Sequence, residues 1–417
     1  MHRSVLALAF VLVSVGRLEA QPDSGFARWV GARAVPLDAS ARAFRVLDSA
    51  SGNARLIGVG ESVHDVQQFM ELRLALLQHL VRHGRVTALV LESGLPEAMA
   101  VDDWVRGRTD SVDFTTQLGP DYHGSDVARR AIAWLREWNL GAGKAHPVAV
   151  HGADISIGDG RSMLPALDRL HAVAGTDARI TAVIDSLRPL ATRVAAPWWN
   201  GALRNHEALP PDAKARLTEL TTRLVAAARE WRRGTREQRA WAERLALVAQ
   251  QDEVMLRRGP FSPEAPRDAA MAANTRWIVD RLPRGERAML WAHNAHVQRT
   301  PIEGPALPRG AFPSMGSRLG ESLGTGYFAV GTAYGGPSVD SASAPRAGSV
   351  DAALGGGIAP APYLVPLRGA PRAGVLGAWL HAERPMRFQV GHLVLSLARA
   401  FDAIVYFDSV GAVVRPH

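Results

Sequence analysis

Two glutamates and three histidines stand at positions where a parallel sheet would gather them. Glu61 and His64 lie three residues apart in Gly60-Glu61-Ser62-Val63-His64-Asp65, Glu92 opens Glu92-Ser93-Gly94, and His293 and His296 bracket His293-Asn294-Ala295-His296. Each group follows a short apolar run that reads as a strand, and His151-Gly152-Ala153-Asp154 follows a further one. Binding sites in parallel α/β sheets form at the carboxyl ends of strands, so four such ends define one candidate site. Two chemistries are open to it. An imidazole that titrates near neutrality can take a proton from water while a carboxylate orients it. The same oxygens and nitrogens of Glu61, His64, Glu92, His293 and His296 can instead hold a divalent metal. Taken singly, each residue also has a structural reading: Glu61 at a helix N-terminus, Ser62 as a helix cap, the histidines as satisfied imidazoles at a strand end. Their grouping favours a shared site.

The composition removes other chemistries. With no cysteine, disulfides, cysteine-ligated zinc, iron–sulfur clusters and thiol nucleophiles are excluded. The chain has no G-x-S-x-G elbow, no Walker loop and no H-E-x-x-H. A net charge of +8 and an isoelectric point near 10.5 raise the possibility of nucleic-acid binding. However, Lys144 and Lys214 are the only lysines among 48 basic residues, and the arginines are scattered, at most as pairs such as Arg129–Arg130. No basic run carries interleaved aromatics. The expectation is an arginine-rich solvated surface and no nucleic-acid partner. Among the eleven tryptophans, the adjacent pair Trp198–Trp199 is a candidate wall for an apolar substrate cleft.

The elements that must position these residues follow from the apolar patterning. Of 417 residues, 47% are apolar and 21% charged, which supplies a core for one large domain or two medium ones. Strands are expected at Arg55–Val59, Thr87–Leu91 and Pro147–Val150, with helices at Val66–His83 and Val127–Trp138. This β-α-β-α rhythm predicts an α/β fold with a mostly parallel central sheet flanked by helices. Long helical patterns then take over at Ile180–Ala195, Asp212–Arg232 and Arg236–Arg257, so residues 161–260 read as a large helical insertion between two parts of the core, 21–160 and 261–417. Further strands are expected at Arg287–Trp291, Tyr327–Thr332 and Ala403–Phe407. The Gly- and Pro-rich stretch 335–374 reads as a long surface loop. Residues 1–20 have a short basic start and an apolar run from Val5 to Val15, the pattern of a secretory signal peptide. The mature protein is then expected to be periplasmic or secreted, with no stable membrane span after cleavage.

Several motifs occur together in the order of a known family. Gly60-Glu61-Ser62-Val63-His64 with Phe69 and Arg73, Val90-Leu91-Glu92, Arg267-Asp268-x-x-Met271-x-x-Asn274 and Trp291-Ala292-His293-Asn294-Ala295-His296 resemble the erythromycin esterase family. Met315-Gly316 with Leu319, Leu323-Gly324, Tyr327-Phe328-Ala329-Val330-Gly331 and Phe401-Asp402-Ala403 extend the resemblance from about residue 40 to residue 408. It implies an α/β core with a large helical portion and hydrolysis of a small-molecule ester or lactone, the macrolide ring being the named substrate. It implies further that His64 is the general base, with Glu61, Glu92, His293 and His296 at the other active-site positions. No cofactor is required by this reading, with a divalent metal as the alternative. Arg73, or a protonated His293 or His296, is the expected oxyanion stabiliser. The family's usual glycine after the motif histidine is Asp65 here, which makes Asp65, with Arg73, Trp198 and Trp199, a candidate substrate contact. G-E-x-x-H also occurs in ChaN-like haem-binding lipoproteins and Tiki-like metalloproteases, although a chain without cysteine has no lipoprotein anchor.

Overall fold

The computed structural model describes residues 24–119, 122, 124–155, 163–196, 199–305, 307, 310–336, 345–389 and 391–415. The expected signal peptide and Trp198 lie outside the described residues. Eight strands form the central sheet, in the spatial order β1 (Val35–Pro36), β7 (Tyr363–Pro366), β10 (Ala403–Phe407), β6 (Tyr327–Tyr334), β2 (Leu56–Val59), β5 (Arg287–Trp291), β3 (Val86–Gly94) and β4 (Ala149–Asp154). From β10 to β4 every neighbouring pair is parallel, while β7 runs antiparallel to both β10 and β1. The sheet is the mostly parallel one that the patterning predicts. Its strands read as unbroken apolar runs because both faces are covered: every residue of β2, β5 and β6 is buried.

One core layer packs the helix Gln67–His83 and the helix Asp126–Leu140 on one face through Phe69, Leu76, Leu80, Ile132 and Leu135. The other face carries Met271, Ile278 and Val279 from the helix Pro266–Arg281, with Met315 and Leu319. A third core belongs to the helical part, where five helices run from Leu164 to Arg258 with no strand among the described residues. The longest, Arg236–Arg258, starts on a capping box formed by Thr235 and Gln238 and stops at Gly259, whose φ of 81° only glycine adopts readily.

Two sequence expectations change, and one element is not legible in the patterning. The helix after β2 begins at Gln67 with Val66 as its cap, so Ser62 does not cap it; the Ser62 amide donates instead to Thr332 Oγ1 at 3.1 Å. The stretch 335–374 is not simply a loop. It contains the helix Val350–Leu354 and β7, whose Tyr363, Leu364 and Val365 are buried inside the sheet. A four-residue strand among glycines and prolines leaves almost no periodicity to read, and its pairing with β10 and β1 defines it. Lastly, β8 (Glu383–Phe388) and β9 (Gly391–Ser396) form a separate antiparallel hairpin. Arg384, on the same face as Met386 and Phe388, breaks the apolar alternation, and Pro385 reads against a strand.

Candidate active site

The four strand ends singled out in the sequence are spatial neighbours, because β5 inserts between β2 and β3, with β4 beyond. Asn294, just past β5, ties this edge together. Its amide donates to Glu61 O at 2.7 Å, and its side chain donates to Thr332 O at 2.8 Å and accepts from Thr332 N at 3.2 Å. This closeness explains Gly60, where a Cβ would sit 2.1 Å from Asn294 Oδ1.

The turn after Gly60 builds the first half of the site. Glu61 is buried, and its Oε1 accepts from His64 Nδ1 at 2.8 Å while its Oε2 meets Arg73 Nη1 at 3.0 Å. Arg73 is fully buried, and its Nη2 donates to Val59 O at 3.0 Å and Ala292 O at 2.6 Å. The guanidinium thus fixes a carboxylate, and the carboxylate fixes the imidazole. With Nδ1–H donated to Glu61, the lone pair of neutral His64 resides on Nε2. The His64 side chain is 28% exposed and faces the cavity.

The second half is built around Arg267, from the first turn of the helix Pro266–Arg281. Its Nη2 lies 2.9 Å from Glu92 Oε1 and 2.6 Å from Asp154 Oδ2, and its Nη1 lies 3.1 Å from His296 Nε2. Glu92 Oε2 also accepts the His293 amide at 2.7 Å. Burial works to raise the Glu92 carboxyl, but His296 and Arg267 outweigh it and hold the group well below the usual carboxylate range. His296 donates from Nδ1 to Asp268 Oδ1 at 2.7 Å, with Glu92 Oε1 at 3.3 Å from Nε2. When His296 is neutral, Nε2 accepts from Arg267; when protonated, it turns an N–H toward Glu92. Burial disfavours that charge, yet Asp268 and Glu92 raise the imidazole above its ordinary value.

That shift has a measurable consequence. A histidine whose pKa is raised on folding contributes its stabilisation fully below its unfolded value, about 6.5, and loses it as pH climbs through the folded value. The urea midpoint is therefore expected to fall as pH rises above about 6.5, and the fall should shrink in His296→Asn. Identical pH profiles for the two proteins would refute the coupling.

His293 plays a different part from the one expected. Its Nε2 donates to Ser62 O at 3.0 Å, and its Nδ1 accepts from Ala295 N at 3.1 Å, capping the helix Asn294–Val297. Burial, then the neighbouring His64, push it well below the ordinary histidine range. A neutral imidazole with both nitrogens engaged does not serve as a cationic oxyanion stabiliser. It stands as a wall, its ring centroid 5.0 Å from that of His64.

Arg73 is likewise corrected: buried behind Glu61, it does not line the cavity. The cation that does is Arg267, with 30% of its side chain exposed. Asp65 also lies outside the cavity lining. Its φ of 59° is left-handed, which accounts for glycine at this place in the family pattern and for aspartate as a tolerable substitute. Its carboxylate is half exposed and points to Arg415 at 3.6 Å. Trp199 does line the cavity mouth, against Phe261 at 5.9 Å. Arg267, Asp268 and Asp154 were legible only as motif residues, because nothing local to an arginine at a helix start shows which carboxylates it will meet.

A metal fits this arrangement poorly. Glu61, Glu92, His293 and His296 are engaged by neighbours, His64 has its Nδ1 held by Glu61, and the Arg267 cation fills the space between Glu92 and Asp154. Among the described residues, no group of three or more histidine, aspartate or glutamate side chains is placed to hold a metal ion.

An α/β sheet with a carboxylate–imidazole pair at its parallel edge carries groups that can activate water, and comparison with known proteins gives the class. The family model for erythromycin esterase matches residues 81–410, and the chain belongs to that family. It is 25% identical to erythromycin esterase type II of Escherichia coli over 371 residues, covering 79% of this chain and 86% of that one. It is 25% identical to erythromycin esterase type I of Escherichia coli over 406 residues, covering 88% and 94%. The fold matches a Bacillus cereus protein with a TM-score of 0.77 at 21% identity, covering 94% and 99% of the two chains. It also matches a mutant of the erythromycin esterase EreC in its open conformation, with a TM-score of 0.73 at 20% identity, covering 89% and 94%. Family membership makes the protein a hydrolase acting on a small molecule. Among the described residues no helix is long and apolar enough to cross a membrane.

Proposed function

We propose that the protein hydrolyses a carboxylic ester or lactone with a water molecule activated by His64, without a metal. The observation that carries this reading is the relay Arg73–Glu61–His64, with contacts of 3.0 and 2.8 Å, opening onto a cavity that also presents Arg267. His64 Nε2 takes a proton from water as the oxygen attacks the carbonyl carbon. Glu61 stabilises the imidazolium that forms, as a carboxylate beside a catalytic histidine does. The tetrahedral oxyanion is met by the Arg267 guanidinium, or by His296 when protonated. Collapse breaks the bond to the alcohol oxygen, which recovers the proton from His64, leaving an acid and an alcohol. The basic and apolar start of residues 1–20 supports an exported enzyme.

The test is hydrolysis of p-nitrophenyl esters and simple lactones by the purified protein, before and after exhaustive EDTA treatment. Hydrolysis that survives EDTA is expected. Activity lost to EDTA and restored by a divalent ion would overturn the metal-free mechanism.

A further inference from the structure

The cavity above the relay measures about 300 Å³, at the small end of the roughly 300–1,000 Å³ typical of ligand sites. Its size is set by packed walls. Phe388, near the tip of the β8–β9 hairpin, stands at 88° to the His293 ring with centroids 4.8 Å apart. The hairpin is anchored by buried Met386, Leu393 and Leu395, by Gln389 N donating to Ser62 O at 3.2 Å, and by Val394 N donating to Glu303 O at 2.8 Å. A second wall is Ile302 and Phe312, joined by backbone bonds of 2.9 and 3.1 Å and packed with Ala265, Ala295 and Leu393 in a small core of their own. Widening the cavity therefore means opening buried apolar contacts, each large side chain worth about 1.5–3 kcal/mol. Among the described residues the mouth is more open, where Trp199 and Phe261 meet edge to face, 38% and 37% exposed.

The floor holds its charges in pairs. Glu61 faces Arg73, Arg267 is shared between Glu92 and Asp154, and Asp268 faces His296. A substrate carboxylate would have to compete with Glu92 and Asp154 for Arg267, the guanidinium that lines the cavity, and a buried charge without a full partner is costly.

Resting on the hydrolase reading, we propose that this site selects compact, uncharged, apolar esters or lactones. The acyl part sits against Phe388 and Ile302, the leaving group exits past Trp199 and Phe261, and a large glycosylated macrolactone is kept from the reacting position. The same site, by this inference, discriminates by bulk and by charge.

The experiment compares kcat/KM for p-nitrophenyl butyrate, the singly charged p-nitrophenyl hemisuccinate and erythromycin. Butyrate is expected to exceed hemisuccinate by at least about tenfold and the macrolide by at least about a hundredfold, on the scale by which pockets discriminate. In Phe388→Ala the macrolide-to-butyrate ratio should rise at least about fivefold. Parity of the macrolide or of hemisuccinate with butyrate overturns the inference, as does an unchanged ratio in a folded Phe388→Ala protein. If none of the three is hydrolysed, the hydrolase reading is what fails. Calorimetric binding then still decides selectivity, and tighter binding of erythromycin than of butyl butyrate overturns it.

Discussion

Replacing His64 with alanine is expected to lower kcat by about 100- to 10,000-fold, the usual contribution of a positioned general base, with little change in stability. The imidazole is 28% exposed and borders a cavity, so its removal leaves no void in the packed core, and the Glu61 oxygen it releases belongs to a carboxylate with a second partner. Glu61 keeps Arg73 at 3.0 Å, so the carboxylate stays compensated. The measurement is kcat on a p-nitrophenyl ester beside the thermal midpoint of the same preparation. Undiminished turnover in a folded His64→Ala protein would falsify the base assignment.

Arg73→Met is expected to act in the opposite order, on stability first. The guanidinium is fully buried, and it joins the Glu61 carboxylate, Val59 O and Ala292 O in one cluster. Methionine restores much of the volume but none of the charge. Breaking a buried ion pair by removing one partner costs about 3–5 kcal/mol, because the other charge stays buried and unpaired. Turnover should fall as well, since a Glu61 carboxylate that has lost the guanidinium fixing it no longer holds the His64 imidazole in place. The two effects are separated by urea denaturation and by the pH profile of kcat, which a purely structural arginine would not move. A loss below about 1 kcal/mol, with an unchanged profile, would show that Arg73 is not the counter-charge described.

How much of this was visible beforehand depended on the range of the interaction concerned. Arg287–Trp291 and Ala403–Phe407 were read with their observed bounds, because a strand covered on both faces is a continuous apolar run whatever its neighbours. The polar residues just past such runs were legible for the same reason. The roles of Arg73 and His293 were not. Both look locally like cations or bases available to a substrate, yet one is buried behind Glu61 and the other has its tautomer fixed by Ser62 O and Ala295 N. Arg267 meets a glutamate 175 positions away, a distance over which no periodicity carries information.

By itself, then, the sequence determined which chemistry was possible. Without cysteine, and with glutamates and histidines at four strand ends, it left water activation or metal capture. The tertiary structure brought those groups together and set which of them pair. Inserting β5 between β2 and β3 brought His293 and His296 beside Glu61, His64 and Glu92. The helix Pro266–Arg281 delivered Arg267 into the space between Glu92 and Asp154, and an anchored hairpin set the cavity's size. The reason is physical: local sequence sets backbone propensity and burial pattern, whereas protonation, charge pairing and cavity volume arise from groups that only strand order and packing bring within a few ångströms of one another.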